Sequence, residues 1–451
     1  MTVRLGVMMF LEFFVWGSWF VSSGVYLPTL GVDKLVDNAY AVSYLAAAFA
    51  PLFFGFLADR YLPAQIVLAG LHLIGAGVMY AVSQASPDAI VPLIFAHMCC
   101  FAPTLGLTNA VAFNALTDSE KQFPIVRVFG TVGWIVAGCY VGGSLLGWYS
   151  LDFLRAEGTP PLEEGPGQYL VTAIAGVVMA VYSLTLPNTP PAAKGEPFSI
   201  GKLFGADAWG LLRDRSFATF LLCTVLICLP LSLYYSKAAF FAGLSGIENS
   251  TAALSWGQVS EVAFMLAMPL FFARLGVKWM LLVGMLSWVV RYGLFAGAWP
   301  GDVAWMIYLG ILLHGICYDF FFVTGQIYVD RAAPKAVRSQ AQSLLVLMTY
   351  GVGFTVGSYL GGPYTDLFKD ADAVAKLDAA QAAVDAAQTL TPALEAALAD
   401  AAAEVNATID WRNFWIWPAA FAGGVAMLFF ALFREPAKRE DPVVESQPAA
   451  A

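Results

Sequence analysis

Glu12, Arg127, Lys237, Glu261, Arg291, His314 and Asp319 all stand inside runs that are otherwise apolar enough to cross a lipid bilayer. A charge at the bilayer centre costs about 2.5–3.5 kcal/mol on insertion scales, so it is kept where it faces a cavity or a partner. Three of these groups are carboxylates, Glu12, Glu261 and Asp319, more than structural pairing alone needs. A carboxyl group whose access to water changes can take up and release a proton. Arg127 and Arg291 could neutralise a carboxylate inside the protein or meet a bound molecule, and the residues leave both open. His72 and His97 read as hydrogen-bonded helix contacts. Lys237, near the end of its run, is expected to snorkel to water.

The spacing groups these residues into helical stripes. Tyr318 and Asp319 follow His314 by four and five positions, which is expected to put all three near one side of a helix. Gln258 and Glu261 are three apart. Arg127, Thr131 and Trp134 step by four and three; Glu12, Trp16 and Trp19 repeat the pattern. Each stripe sets a polar group beside an aromatic wall, which suits a small polar molecule with a flat or ring-shaped part. Phe320, Phe321 and Phe322, without a polar neighbour of this kind, are read as packing or lipid contact. Gly315 and Gly325 let neighbouring helices approach closely.

The elements that must position these stripes are membrane spans. Of 451 residues, 59% are hydrophobic and 12% charged, against roughly 25% charged in soluble domains. Twelve apolar runs are predicted, at 5–30, 39–58, 63–84, 89–113, 124–148, 168–187, 216–243, 252–273, 277–299, 302–328, 337–362 and 412–433. The fold class expected is therefore an all-α integral membrane protein. Lys and Arg crowd one set of joints (Arg60, Lys121, Arg213, Arg274, Lys278, Arg331, Arg434), while the other keeps Lys34, Arg155, Lys369, Lys376 and Arg412. Both termini are thus expected on the cytoplasmic side.

Six runs precede the longest polar joint and six follow it. The plan is an N-terminal six-helix bundle over 1–187, a linker over 188–215 and a C-terminal bundle over 216–433. The linker carries an amphipathic stretch with Leu203, Phe204, Trp209, Leu211 and Leu212 that could lie on a membrane surface. The tail spans 434–451. Residues 363–410 form an Ala-rich, acidic insertion with a break at Thr391-Pro392, expected as a helical hairpin on the outer face. The net charge of −9 arises largely from acidic outer loops and the tail, and points to no nucleic-acid partner. The six cysteines fall within spans as small packing residues. There is no metal-ligand spacing, Gly-rich phosphate loop or Ser/His/Asp set, so no catalytic or metal site is expected and an enzyme reading starts weak.

The joint GFLADRYLPAQ resembles the Gly-x-x-x-Asp-Arg signature of the major facilitator superfamily, carried by Gly55, Asp59 and Arg60. The segments EFFVWGSWFVSSG, FPIVRVFGTVGW, GQVSEVAFMLAMPLFFARLGVK and LLHGICYDFFFVTGQIYVDRAAP resemble that superfamily's nucleoside:proton symporter branch, through nearly all the runs. The resemblance implies two six-helix bundles and proton-driven nucleoside import across the cytoplasmic (inner) membrane by alternating access. It needs no cofactor beyond the proton gradient, and its expected partners are a small-molecule substrate, protons and the lipid bilayer. A monomer is expected. Gly55, Asp59 and Arg60 would set the balance between states.

The family's binding residues fall on Arg127, Thr131, Trp134, Gln258, Glu261, Tyr318 and Asp319. Trp16 would add an aromatic wall. Asp319 leads as the proton-coupling carboxylate, with Glu261 and Glu12 as rivals. Leu231 and Tyr234 stand where better-known members carry amides, His314 where they carry a tyrosine, and Glu12 where they carry a neutral amide. These departures leave open another sugar-like solute, a saccharide or nucleoside derivative, as the ligand.

Overall fold

The computed structural model describes residues 1–32, 34–117, 119–154, 159–191, 206–301, 303–334, 338–387 and 391–434. Half of the linker, with Leu203 and Phe204, and the tail from 435 lie outside the described residues, as does the side chain of Asp59. The fold is helical, as the apolar runs require: where no water can serve the backbone, each peptide group must be satisfied within its own helix.

The first bundle comprises α1 (Thr2–Gly17), α2 (Leu35–Arg60), α3 (Ala64–Ser83), α4 (Pro87–Ala115), α5 (Ser119–Val141) and α6 (Gly167–Ser183). The second comprises α7 (Arg215–Leu244), α8 (Trp256–Ala298), α9 (Ala304–Val329), α10 (Leu344–Asp366) and α13 (Trp411–Leu432), with α11 (Ala371–Ala386) and α12 (Pro392–Thr408) inserted before the last. Helix α8 holds two of the expected runs, because Gly276 turns the chain with φ 68° inside it. Among the described residues, eight helical segments are long and apolar enough to cross a membrane, and Ile125–Val141 and Gly167–Ser183 are shorter apolar ones.

Two runs end earlier than expected. The run 5–30 stops being one helix at Gly17 and resumes as a short turn of helix at Ser23–Tyr26. Its serine hydroxyls find partners across the bundle: Ser22 Oγ donates to Gln168 Oε1 (2.6 Å) and Ser18 Oγ meets Thr172 Oγ1 (2.8 Å). Such side chains compete with the backbone and break the helix. The run 124–148 stops at Val141, where Gly143 (φ 66°) leads into a two-residue antiparallel pairing of Ser144–Leu145 with Tyr149–Ser150.

Helix α1 packs on α5 so closely that a Cβ at Gly133 would stand 2.2 Å from the Phe10 carbonyl oxygen. In the second bundle Asp214 caps α7 by accepting from the Phe217 backbone N–H (2.8 Å). Helices α9 and α10 each widen into π-helical turns, at Asp319–Val323 and Leu347–Phe354. Such turns are frequent at functional sites.

The two bundles meet at the end away from Thr2 and Leu432. Lys237 Nζ donates to Asp37 Oδ2 across the interface (2.9 Å) with both residues buried. Lys237 therefore does not snorkel to water: a buried carboxylate lies nearer. At the same end the Thr251 backbone N–H donates to Glu163 (3.1 Å) and Trp256 Nε1 to the Leu146 carbonyl (3.0 Å). Helices α11 and α12 form the expected hairpin, and Leu398 and Ala402 lie over Gly31 of the first bundle. Because α10 runs on to Asp366, the hairpin proper begins at Ala371.

Candidate functional site

A cavity between the two bundles, of about 1040 Å³ counted out into its mouth, collects the expected stripes. Trp16, Arg127, Thr131 and Trp134 line it from the first bundle; Gln258, Glu261, His314 and Tyr318 line it from the second. The Arg127 guanidinium lies 4.1 Å from the Phe13 ring centroid and within electrostatic reach of Glu261. Trp16 and Trp134 meet edge to face at 5.2 Å, an arrangement that holds both rings firmly.

The wall of α9 is shaped by its neighbour. Ser260 Oγ donates to the Leu312 carbonyl (2.5 Å) and accepts from the Gly315 backbone N–H (3.0 Å), so the break at Leu313 is clipped to α8. His314 stands on the cavity side of that break with Nε2 3.9 Å from Glu261 Oε2. Its ring stacks on Tyr318, and on Tyr234 behind.

Four expected residues lie elsewhere. Asp319 does not share the face of His314 and Tyr318. One residue beyond Tyr318, it turns into the bundle, fully buried, with neither carboxylate oxygen hydrogen-bonded among the described residues. The carboxylate of Glu261 is within electrostatic reach of it. Tyr234 stands behind the wall, under the Arg291 guanidinium at 3.4 Å. Leu231, fully buried, lines no part of the cavity either. Glu12 sits within the first bundle, where Oε1 accepts from Thr104 (2.5 Å) and Oε2 meets His72 Nε2 (2.8 Å). His97 contacts the Gly75 carbonyl through Nδ1 (3.1 Å), the helix contact expected of it. Gly55 has open space beside it, and the Arg60 guanidinium lies 4.9 Å from the Phe56 ring centroid.

Sequence reasoning missed part of the lining. Phe322, read as packing or lipid contact, faces the cavity, and so do Gln326, Gln342, Thr349 and Tyr350. The signal for the first two was present: Tyr318, Phe322 and Gln326 continue the stripe from His314 in steps of four. The aromatics Phe20, Tyr44, Tyr235 and Phe354 complete the wall.

Residues 1–438 match the family model described as Nucleoside H+ symporter. The chain belongs to the nucleoside:proton symporter family. The symporter is 35% identical over 440 residues to "Putative nucleoside transporter YegT" of Escherichia coli (strain K12), covering 96% of this chain and 94% of the relative. It is 30% identical to the xanthosine permease of the same organism, with 96% of each chain covered. The crystal structure of the nucleoside transporter NupG superposes with a TM-score of 0.76 at 25% identity, covering 96% of this chain and 99% of that one. The symporter is thus a multi-pass membrane transporter of the major facilitator fold, and its family and these relatives are transporters, not enzymes.

Proposed function

We propose that this symporter imports nucleosides with protons across the inner membrane by alternating access, through twelve spans with both termini in the cytoplasm. On this reading the bundles touch at the outer end, and the cavity reaches past Gln326 and Gln342 toward the cytoplasm, an inward-facing state. The alternating signs of the joints support that orientation. Arg127, Thr131, Gln258 and Glu261 would hydrogen-bond sugar hydroxyls or base edges, while Trp16, Trp134 and Tyr318 pack against the rings. Tyr234 supports the site from behind, through Arg291 and His314. The protein works as a monomer, without a cofactor and without catalysing a reaction.

The observation that carries the proposal is Asp319. A buried carboxyl group with no hydrogen-bond partner among the described residues stands behind a cavity lined by polar and aromatic groups. Such a group holds a charge only where water or a cation can reach it. Its proton then follows which side of the membrane the cavity faces, and loading of proton and substrate lets the bundles rock. Glu261, on the cavity wall, could share the proton. Glu12, held by His72 and Thr104, has a structural role, and Gly55, Asp59 and Arg60 tune the balance of states at the inner end. The test is uptake of labelled uridine and adenosine into proteoliposomes under an imposed proton gradient. Accumulation that collapses with a protonophore is expected; accumulation indifferent to the gradient would overturn the coupling.

A further inference from the structure

Arg291 is a fully buried guanidinium with no carboxylate at ion-pair distance among the described residues, and its Nε and one Nη have no hydrogen-bond partner. Its other Nη lies 3.2 Å from His314 Nδ1. A guanidinium has donors and no acceptor, so this contact is a hydrogen bond only when Nδ1 carries a lone pair. The imidazole proton is then on Nε2. Three packing contacts hold the ring in that pose. Tyr234 stacks on one side at 6.0 Å and 22°, and Tyr318 at 5.6 Å and 28°. Gly257 backs the residue, since a Cβ there would stand 3.1 Å from the His314 Cβ.

The cavity therefore shows an N–H donor at His314 beside an acceptor carboxylate at Glu261, and at 3.9 Å the two fall short of bonding to each other. We infer that Arg291 is a positioning residue that fixes His314 as a hydrogen-bond donor, and that the His314–Glu261 pair takes a ligand edge carrying an acceptor next to a donor. In uridine two edges have that chemistry: the N3–H/C=O edge of the base and the vicinal hydroxyls of the ribose. The inference rests on the nucleoside reading of the cavity and adds to it which ligand feature is read there, and by what.

The test measures KM and maximal rate in proteoliposomes for uridine, N3-methyluridine, which lacks the base donor, and 2′,3′-dideoxyuridine, which lacks the diol. One analogue should lose roughly tenfold in KM, as expected for a hydrogen bond to an ionised group, and which one loses it identifies the edge. With both members of the pair removed, in His314→Leu/Glu261→Leu, that difference should vanish. Arg291→Gln should raise the uridine KM in the native background and add nothing in His314→Leu, because an effect transmitted through His314 cannot survive its removal. Arg291→Lys, which keeps a donor, should recover part of the loss. Equal penalties for Arg291→Gln in both backgrounds, or two analogues that match uridine, would overturn the inference alone. Failure of the native protein to take up any nucleoside would overturn it together with the reading beneath it. The analogue comparison needs no change at Arg291, so it stands if Arg291→Gln does not fold.

Discussion

Replacing Lys237 with Met should open the outer end of the transporter. In the closed arrangement Lys237 Nζ is 2.9 Å from Asp37 Oδ2, and Asp37 is 3% exposed, its other oxygen without a hydrogen-bond partner among the described residues. Removing one member of a buried pair typically costs 3–5 kcal/mol, because the survivor keeps an uncompensated charge. Lys237 retains 9% exposure, so some water reaches the pair, and about 2–3 kcal/mol is the fitting magnitude here. The cost falls only on the state that buries Asp37; with the outer end open, water solvates it. The balance should therefore move toward the outward-open state by roughly 30- to 150-fold, at tenfold for each 1.36 kcal/mol. Ser255→Cys reports it: Ser255 lies buried between the bundles, on a small cavity with Gly138 of the first bundle and Thr251, whose backbone N–H donates to Glu163 at the same closed end. Its labelling by a membrane-impermeant thiol reagent from outside should accelerate by one to two orders of magnitude in Lys237→Met. Adding Asp37→Asn should return labelling most of the way to its original rate, since no charge is left buried. Unchanged labelling in Lys237→Met, or no recovery in the double variant, would refute the latch.

Glu12→Gln should lower thermal stability in detergent by about 1–3 kcal/mol, because it disturbs the bonds to His72 and Thr104. Proton-driven accumulation should persist, and its loss would return Glu12 to the coupling machinery. Gly133→Ala, placing a methyl against the Phe10 carbonyl, should force α1 from α5 at a cost of about 1–3 kcal/mol, seen as an earlier unfolding midpoint. Trp134→Ala removes a wall of the cavity and its edge contact with Trp16; the uridine KM should rise about tenfold with little change in expression. With the interior held at fixed pH, initial uptake should fall as outer pH rises, because fewer carriers are loaded with a proton from outside; a flat profile would contradict symport.

The stripes were legible where one helix carries the whole argument. Arg127, Thr131 and Trp134 step along α5 and share the cavity, as do Gln258 and Glu261 along α8. Asp319 was misplaced onto the face of His314 because successive helical residues diverge by about 100°, so one position separates a cavity wall from a bundle interior. The π-helical turn that begins at Asp319 gives no local signal of this kind. The broken first run depends on Gln168, Tyr169 and Thr172, about 150 residues away. The partners of Lys237 and Arg291 are likewise distant in sequence, so periodicity could propose these charges as functional but not say what they touch. The Leu231 and Tyr234 departures, which had opened the reading of another solute, do not reach the cavity; of the departures, His314 does.

Whether Asp319 carries the coupling proton is read from Asp319→Asn in proteoliposomes. Exchange of labelled for unlabelled uridine, which needs no net proton movement, is measured beside accumulation under a proton gradient. Exchange should be retained and gradient-driven accumulation lost. Accumulation at the native level in Asp319→Asn would contradict that role.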